Sequence, residues 1–451
     1  MPMKQSQAKV LNSMKRFGTA ATIGLIVLGL LTFATLAAGL VLVGTSGHPE
    51  RLFGTVEEEV PTTANLRTVR LDGSAETVDE NGVVHGTTPA GINYVVYGRG
   101  QAGHDPNRIS FAATGDVFAT DMNFELLDSY EGKVGDGIYS FEPYYQDVAP
   151  VVRNYDLAFI NQETAMAGNT DGFVFSGYPD FNTPDSSLDA MDKAGFNIVN
   201  FGSNHSWDMG EEGILKTHAV FARYPHIMMV GSYANEKDRS TVHMVERNGT
   251  NIAFLSYMYG SNGFETLADF PNTYYTCPFE KNKMEMEIRR AQQVADAVVV
   301  YMHWGTEYTP EPDEQQMEYA QFLVDLDVDL VIGSHAHIMQ PMKYFTSKSG
   351  KEVPVIFGLS DFICGWSLTN TILSGLFTCD FVWSDGQLVL DNLACYPMIE
   401  YSEGGDRYIR FLKDMSAEDM KKNTCTEDVE DDEAYLKQYI EDLNMDIPVV
   451  M

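Results

Sequence analysis

The chain has 451 residues, 44% of them hydrophobic and 12% aromatic, which is enough apolar side chain for a large core and excludes a wholly disordered protein. Its 64 acidic residues outnumber 30 basic ones and give a net charge of -34, which argues against nucleic acid as a partner and against adsorption to anionic lipid. Five cysteines without a Cys-x-x-Cys pair argue against a disulfide scaffold and against a zinc ribbon.

The first predicted element is a membrane anchor. Residues 1–16 contain four Lys or Arg residues, and residues 17–44 contain no charge and consist mainly of Ala, Leu, Val, Ile, Thr and Gly. About 20 apolar residues span a bilayer, whereas the apolar part of a cleavable signal peptide has only about 7–15. We therefore expect residues 17–44 to be an uncleaved, single-pass anchor in the cell membrane. The cations at 1–16 would keep the N-terminus in the cytoplasm and place the main domain outside.

The next segment, residues 45–107, shows no sustained hydrophobic period. It contains the acidic run 57–59 and several glycines, a composition typical of a stalk or loosely structured linker. We expect it to separate the anchor from a folded domain at residues 108–400.

Within that domain, short apolar runs alternate with helical stretches. Strands are predicted at residues 109–114, 156–160, 196–201, 251–257, 297–302, 329–332 and 353–357. Helices are predicted at residues 141–154, 186–193, 211–221, 281–294 and 313–326, with Gly195 ending the second. This alternation indicates an α/β sheet with parallel pairs, and two consecutive strands at 376–383 and 387–395 indicate an antiparallel edge. Residues 401–451 are predicted to be an acidic C-terminal extension with a helix at 434–443.

Polar residues follow the predicted strands at their carboxyl ends. Ligands of open α/β sheets bind at that edge, so residues far apart in the sequence should converge there. They are Asp116, Glu163, Asn204, His205, His303, His335 and His337. Carboxylate, amide and imidazole groups together suit a borderline or hard divalent ion. Taken singly, Asn204 and His205 also fit an Asx turn beside a core histidine, and His303 fits a half-buried structural histidine. The occurrence of all of them, in order, favours a metal site.

Five motifs carry a family resemblance. They are Gly115-Asp116, Asn161-Gln162-Glu163-Thr164, Ser203-Asn204-His205-x-x-Asp208-x-Gly210, His303-Trp304-Gly305-x-Glu307-Tyr308 and Gly333-x-His335-x-His337. With them the chain resembles, over residues 108–396, the CapA family of poly-γ-glutamate capsule synthesis proteins. That family is in turn similar to the calcineurin-like metallophosphoesterases. The resemblance implies an α/β fold, a metallophosphoesterase-like two-sheet sandwich flanked by helices, with one N-terminal transmembrane helix.

The resemblance also implies roles for the motif residues. Asp116 and His337 would hold one metal ion, and Asn204, His303 and His335 would hold a second, with Glu163 bridging the two. His205 would lie near the leaving group. The chain departs from the pattern at Phe118, where the superfamily has a histidine, so the first metal position would be the weaker one. It also departs at Asp361, where the family has an asparagine, and the role of this acid is left open.

This arrangement suggests hydrolysis at phosphorus. Two divalent ions about 3.5–4 Å apart can stabilise the attacking and leaving oxygens of an in-line displacement. His205 would donate a proton to the leaving group, while Asp208 would either hold the other ring nitrogen of His205 or cap the following helix. Glu307 would either contact His303 or be a solvated acid.

Three functions remain open from the sequence. The first is a membrane-anchored, extracytoplasmic protein of capsule polymer synthesis or export, with other synthase subunits as partners. The second is a metal-dependent hydrolase of a phosphoester or an amide, so the sequence leaves open whether the chain is an enzyme. The third is a non-catalytic acidic binding module. One or two ions of manganese, zinc or iron are expected, and an anionic polymer could bind only through such an ion. Nucleic acid is not expected as a partner.

Overall fold

The computed structural model describes Leu71 and residues 73–132, 134–266, 274–365, 370–425 and 432–451. The predicted cytoplasmic segment 1–16, the predicted anchor 17–44 and the first part of the predicted stalk lie outside these residues. Within the described ranges, no helix is at once long enough and apolar enough to cross a bilayer.

The described residues contain seventeen strands. In chain order they are β1 Ala75–Val78, β2 Val84–Thr87, β3 Asn93–Tyr97, β4 Arg108–Val117, β5 Leu157–Gln162, β6 Ile198–Asn200, β7 Met228–Val230, β8 Val242–Arg247, β9 Thr250–Met258, β10 Ala297–His303, β11 Leu330–Ser334, β12 Met342–Thr346, β13 Glu352–Ile356, β14 Asp361–Ile363, β15 Leu373–Ser384, β16 Gln387–Glu403 and β17 Asp406–Phe411. They form a first sheet of nine strands in the order β1-β2-β3-β8-β9-β10-β11-β13-β12. The second sheet has eight strands in the order β17-β16-β15-β4-β5-β6-β7, with β14 paired to β4.

Helices flank both sheets. Those in the described ranges are α1 Asp121–Ser129, α2 Ala149–Val152, α3 Ser186–Ala194, α4 Gly210–Phe221, α5 Glu236–Arg239, α6 Lys281–Gln292, α7 Glu314–Asp325, α8 Ala417–Lys422 and α9 Asp432–Asp442. Short 3-10 turns add Glu142–Tyr145, Phe264–Thr266 and Leu412–Asp414. The predicted helix at 186–193 and its end at Gly195 are confirmed, because Gly195 has a left-handed φ of 101° that favours glycine.

Alternating side chains of the strands build three apolar layers. In β10, Val299 and Tyr301 face the core shared by the two sheets, which also contains Phe111 and Phe159 of the second sheet. Val300, next to them, faces the helices outside the first sheet. This period of two is what a strand buried on both faces produces. The two-sheet α/β arrangement is therefore confirmed, and all five cysteines are free and buried within it.

Parallel pairing at the centre of both sheets fixes where the strands end. Strands β4, β5, β6 and β7 are mutually parallel in the second sheet. Strands β9, β10, β11 and β13 are parallel in the first. The carboxyl ends of each set therefore lie at one edge, where the predicted polar residues follow.

The predicted helix at 141–154 is wrong as a single element. It is divided into the 3-10 turn Glu142–Tyr145 and the short helix α2, each with a proline in its first turn. Pro150 cannot donate the backbone hydrogen bond that a continuous helix would need at that point, so the helix restarts there.

The predicted stalk is also wrong over its second half, because β1, β2 and β3 lie within residues 45–107. They extend the first sheet, with β3 pairing parallel to β8. Tyr94 and Val96 are buried in the outer layer of that sheet. Strands of four or five residues are too short to show a sustained period in the sequence, and their stability comes from the neighbouring strand.

The predicted domain boundary at residue 400 lies inside the fold. Strand β16 continues to Glu403, and β17 pairs with it beyond the boundary. Helix α9, predicted as the helix at 434–443, packs Leu436 and Ile440 into the core between the sheets. Residues 401–451 are mostly acidic and polar, and the few apolar positions among them give only a weak sequence signal. The segment therefore resembles an extension in sequence but belongs to the domain.

Candidate metal centre

Buried polar side chains meet at the edge where the parallel strands end. Asp116 lies near the end of β4, Glu163 directly follows β5, and Asn204 follows β6. His303 ends β10, and His335 and His337 follow β11. All six predicted ligands are at most 4% exposed. They come from both sheets, so the packing of the two sheets assembles the site.

Two overlapping groups of ligand atoms are close enough to hold an ion. The first group is Asp116, Glu163, His337 and Asp361, and the second is Glu163, His335 and His337. Within each group the ligand atoms lie within 4.8 Å of one another. Glu163 and His337 belong to both groups. The structure thus brings these residues together, and their individual roles as ligands stay predictions.

Asn204 and His303 lie beside the same carboxylate. The Nε2 atom of His303 is 2.7 Å from Oδ1 of Asn204 and 3.6 Å from Oε1 of Glu163. The imidazole rings of His303 and His335 have centroids 4.8 Å apart. The hydroxyl of Tyr301 is 2.9 Å from Nδ1 of His303 and fixes the ring from the other side. Asn204 and His303 thus contact each other beside Glu163, and their roles as ligands of a second ion stay predictions.

Unpartnered buried atoms test whether these residues fit a metal ion. Both carboxylate oxygens of Glu163, Nδ1 of His335 and Oδ2 of Asp361 are buried and lack a hydrogen-bond partner. Leaving such a group unsatisfied costs about 1–3 kcal/mol, and more when it is charged. Divalent cations bound within the two groups would satisfy these atoms, and carboxylate and imidazole are ligands that such ions accept. The residues fit the group that the resemblance implies.

The acidic side chains of the centre repel one another. Burial, together with the nearby charge of Asp361, raises the pKa of Asp116 to about 6. Burial and the charge of Asp116 raise the pKa of Glu163 well above its ordinary value. A cation would relieve both effects by stabilising the ionised carboxylates.

The histidines divide into two kinds. Burial, followed by the charges of neighbouring histidines, lowers the pKa values of His303 and His335 well below 6.5, so these rings are neutral, as a metal ligand must be. Burial alone would lower the pKa of His337 as well. The carboxylate of Asp361, 2.7 Å from its Nδ1, raises it instead to about 10.

A buried chain of hydrogen bonds holds Asp116 in place, and the sequence did not reveal it. Ser256 Oγ donates to Asn200 Oδ1, Asn200 Nδ2 donates to Asn161 Oδ1, and Asn161 Nδ2 donates to Asp116 Oδ1, each at 2.6 Å. The backbone N–H of His335 donates to the other oxygen of Asp116 at 3.2 Å. Asn161 directly follows the predicted strand 156–160, which is a signal of this kind, whereas Asn200 lies inside the predicted strand 196–201 and gives none.

His205 and Asp208 form a pair at the side of the centre. Asp208 Oδ2 lies 2.7 Å from Nδ1 of His205 and accepts the backbone N–H of Phe181 at 2.8 Å. The ring of Phe181 packs edge-on against His205, with centroids 4.7 Å apart. Helix α4 begins at Gly210 with Met209 as its N-cap residue, so the alternative that Asp208 caps this helix is wrong.

Glu307 is not a hydrogen-bond partner of the His303 ring nitrogens. Its side chain is exposed, and both ring nitrogens of His303 are engaged by Tyr301 and Asn204. The interpretation of Glu307 as a partner of His303 is therefore wrong, and the solvated alternative is the one observed.

Comparison with known proteins agrees with the motifs. The sequence is 25% identical over 229 residues to the PGA biosynthesis protein CapA of Bacillus subtilis (strain 168), which covers 50% of this chain and 58% of that protein. It is 27% identical over 193 residues to the capsule biosynthesis protein CapA of Bacillus anthracis, covering 41% of this chain and 45% of that protein. The chain spans about half the length of the curated relatives it matches.

Among solved structures, the chain matches the calcineurin-like phosphoesterase YfkN from Bacillus subtilis. It is 12% identical, with a TM-score of 0.38, and the match covers 75% of this chain and 98% of that one. The profile of the family described as bacterial capsule synthesis protein PGA_cap matches residues 110–365, which is more than half of the 451 residues. This chain belongs to the PGA_cap family of bacterial capsule synthesis proteins.

Proposed function

We propose that this chain is a divalent-metal-dependent phosphoester hydrolase that acts in the synthesis or export of a capsule polymer. The observation that carries the proposal is the convergence of unpartnered carboxylate and imidazole atoms at one buried place beside the His205–Asp208 pair. Membership of the capsule synthesis family supports the biological context.

The proposed metal ligands divide between two positions. Asp116 and His337 would hold one ion, and Asn204, His303 and His335 the other, with Glu163 between them. Manganese, zinc or iron would suit these groups. When bound, such ions polarise a phosphoryl oxygen and make water nucleophilic near neutral pH. The Ser256–Asn200–Asn161 chain would keep the carboxylate of Asp116 oriented without the need for reorganisation.

His205 would move the proton. Its Nδ1 is held by Asp208, so the ring presents Nε2 for donation to the leaving oxygen. Burial raises the pKa of Asp208, an effect that the hydrogen bond from His205 opposes. Asp208 therefore acts by fixing the tautomer and the angle of the imidazole, and the ring of Phe181 limits its rotation.

The proposed location is the outer face of the cell membrane. The apolar run at 17–44, the four cations before it and the absence of acidic residues from residues 1–49 support a single-pass anchor with the N-terminus in the cytoplasm. Other subunits of a capsule polymer synthase are the proposed partners, and an anionic polymer would bind through the metal ions. Protease treatment of intact protoplasts tests this topology.

Hydrolysis assays on the purified full chain test the chemistry. With Mn²⁺ supplied, we expect turnover of a p-nitrophenyl phosphodiester or monoester and none of a γ-glutamyl anilide. His205→Ala should lower kcat by about 10²–10⁴-fold, the usual share of general acid catalysis, while its metal content stays unchanged. Glu163→Gln should lose both metal and activity, because this unpartnered carboxylate is the one carboxylate that belongs to both groups.

His226→Ala is the matched control, because His226 is exposed and pairs with Asp192 away from the centre. Its activity should equal that of the wild type. Wild-type protein that binds metal yet hydrolyses none of these compounds would contradict the hydrolase and favour the acidic binding module. Turnover of the anilide alone would contradict the phosphoester specificity.

A further inference from the structure

Asp361 is a buried acid inside the centre for which the sequence offered no role. It is 2% exposed, and one of its oxygens lies within 4.8 Å of ligand atoms from Asp116, Glu163 and His337. Oδ1 is 2.7 Å from Nδ1 of His337, whereas Oδ2 is buried without a hydrogen-bond partner. Half of this carboxylate thus orients a histidine, and the other half remains available for a ligand.

The pairing of two strands places Asp361 in the centre. Strand β14 pairs parallel to β4 with Asp361 directly opposite Asp116. Ser360, which precedes it, has a left-handed φ of 66° and accepts the N–H of Asp116 at 3.0 Å through its carbonyl. Its hydroxyl donates to the carbonyl of His337 at 3.1 Å. A strained residue held by two site residues indicates that the position of Asp361 is built into the fold.

Carboxylates and an aromatic ring lie around His337. The ring of Phe118 packs edge-on against the ring of His337, with centroids 5.5 Å apart. The larger group of candidate ligand atoms comprises three carboxylates, from Asp116, Glu163 and Asp361, and the imidazole of His337. Carboxylate oxygen suits Mn²⁺ and Mg²⁺, whereas imidazole suits zinc better.

We propose that Asp361 is a direct ligand of the metal position at Asp116, and that it makes this position favour an oxygen-seeking ion such as Mn²⁺ relative to Zn²⁺. The inference rests on the metal centre of the proposed function. In this proposal an additional carboxylate completes the position that the sequence alone predicts to be the weaker one.

The alternative role for Asp361 is to orient His337 only, and Asp361→Asn separates the two. An asparagine keeps an oxygen acceptor for Nδ1 of His337 but removes the negative charge and most of the affinity for a cation. Binding of Mn²⁺ and of Zn²⁺ to the purified full chain is measured by equilibrium dialysis with elemental analysis. Bound Mn²⁺ is also followed by its electron paramagnetic resonance signal.

We expect wild-type protein to bind two Mn²⁺ ions, and Asp361→Asn to lose at least about tenfold in affinity at one position while the other is unchanged. Asp361→His, which exchanges a carboxylate for an imidazole, should shift the ratio of Zn²⁺ to Mn²⁺ affinity toward zinc by at least about tenfold. Asp361→Glu, which keeps the charge, should retain two ions and shows that loss in the other variants is not general misfolding.

Asp380→Asn is the matched control. Asp380 is a buried carboxylate in the same sheet, bonded to Arg108 at the opposite end of β4, and its variant should keep both ions. Full affinity at both positions in Asp361→Asn would overturn the inference and leave the proposed function standing. A wild-type chain that binds no metal would overturn both.

Discussion

His335 and His337 are held in backbone conformations that few residues other than glycine adopt. Their φ values are 98° and 58°, and the preceding strand β11 ends at Ser334. The N–H of His335 is tied to Asp116, and the carbonyl of His337 is tied to Ser360. Each such residue costs on the order of 1–3 kcal/mol, and the cost is borne where surrounding contacts fix the geometry. The backbone at both histidines is therefore fixed by contacts within the fold.

His218 gives the residue scale a test that is independent of the metal. It lies in α4, and its Nε2 is 2.9 Å from the hydroxyl of Ser232. Burial lowers its pKa from 6.5 to about 4, against an opposing effect of Asp238. As pH falls from about 6.5 toward 4, the unfolded chain takes up a proton that the folded chain does not. The stability contributed by neutral His218 is present above this window and is lost within it.

Replacing His218 should make the fold less sensitive to acid. Because the side chain is only partly buried, we expect His218→Asn to lose about 1 kcal/mol less unfolding free energy than the wild type between pH 7 and pH 5. Urea unfolding at the two pH values measures the difference. His226→Asn, at an exposed site, is the control and should follow the wild type. A parallel decline of His218→Asn and wild type would show that His218 carries no such dependence.

At the scale of elements, the sequence predicted the long strands and helices because their patterns are local. The run at 297–302 became β10, and the run at 313–326 became α7, each within two residues. For the same reason polar residues at the ends of long strands, such as His303, could be singled out as candidate ligands. Strand β14 could not, since three residues carry no period and their strand geometry exists only through pairing with β4. Asp361 was therefore visible in the sequence but could not be placed.

Gly115 in β4 lies against the backbone of Ser360, the residue before β14. A Cβ atom there would lie 1.8 Å from the carbonyl oxygen of Ser360, which is backbone and cannot move away cheaply. Gly115→Ala should push the strands apart, weaken the Asp116–Ser360 hydrogen bond and displace Asp361. We expect a loss of at least about 1–3 kcal/mol in unfolding free energy and of one bound metal ion. Thermal unfolding and elemental analysis measure the two effects.

Gly260→Ala is the control for that substitution. The nearest atom to its added Cβ is a carboxylate oxygen of Glu265 at 3.2 Å, the end of a flexible side chain. This variant should unfold within about 0.5 kcal/mol of the wild type. Normal stability and full metal content in Gly115→Ala would show that β4 and Ser360 tolerate a wider separation than the structure has.

At the scale of the whole molecule, the site depends on how the two sheets pack against each other. Asp116 and Asp361 come from the second sheet, whereas His303 and the His335–His337 turn come from the first. The C-terminal segment connects the same two sheets. Val450 N–H donates to Cys395 in β16, and Asp446 N–H donates to Met342 in β12. The segment after α8 thus bridges the sandwich, which its acidic composition did not indicate.

Leu436 is a fully buried apolar residue of this bridging segment. Its side chain is 0% exposed within the core between the sheets, whereas Gln438 on the same helix is exposed. Leu436→Ala should lower the unfolding free energy by about 2–5 kcal/mol, because it removes buried apolar surface and leaves a cavity. Gln438→Ala should change it by less than about 0.5 kcal/mol. If the sheets need the bridge to hold the centre, Leu436→Ala should also bind Mn²⁺ more weakly below its unfolding temperature. Urea unfolding and metal titration of the two variants measure both effects. An unchanged unfolding free energy and an unchanged Mn²⁺ affinity in Leu436→Ala would mean that residues 401–451 contribute little to the domain, as expected of the extension that their sequence predicts.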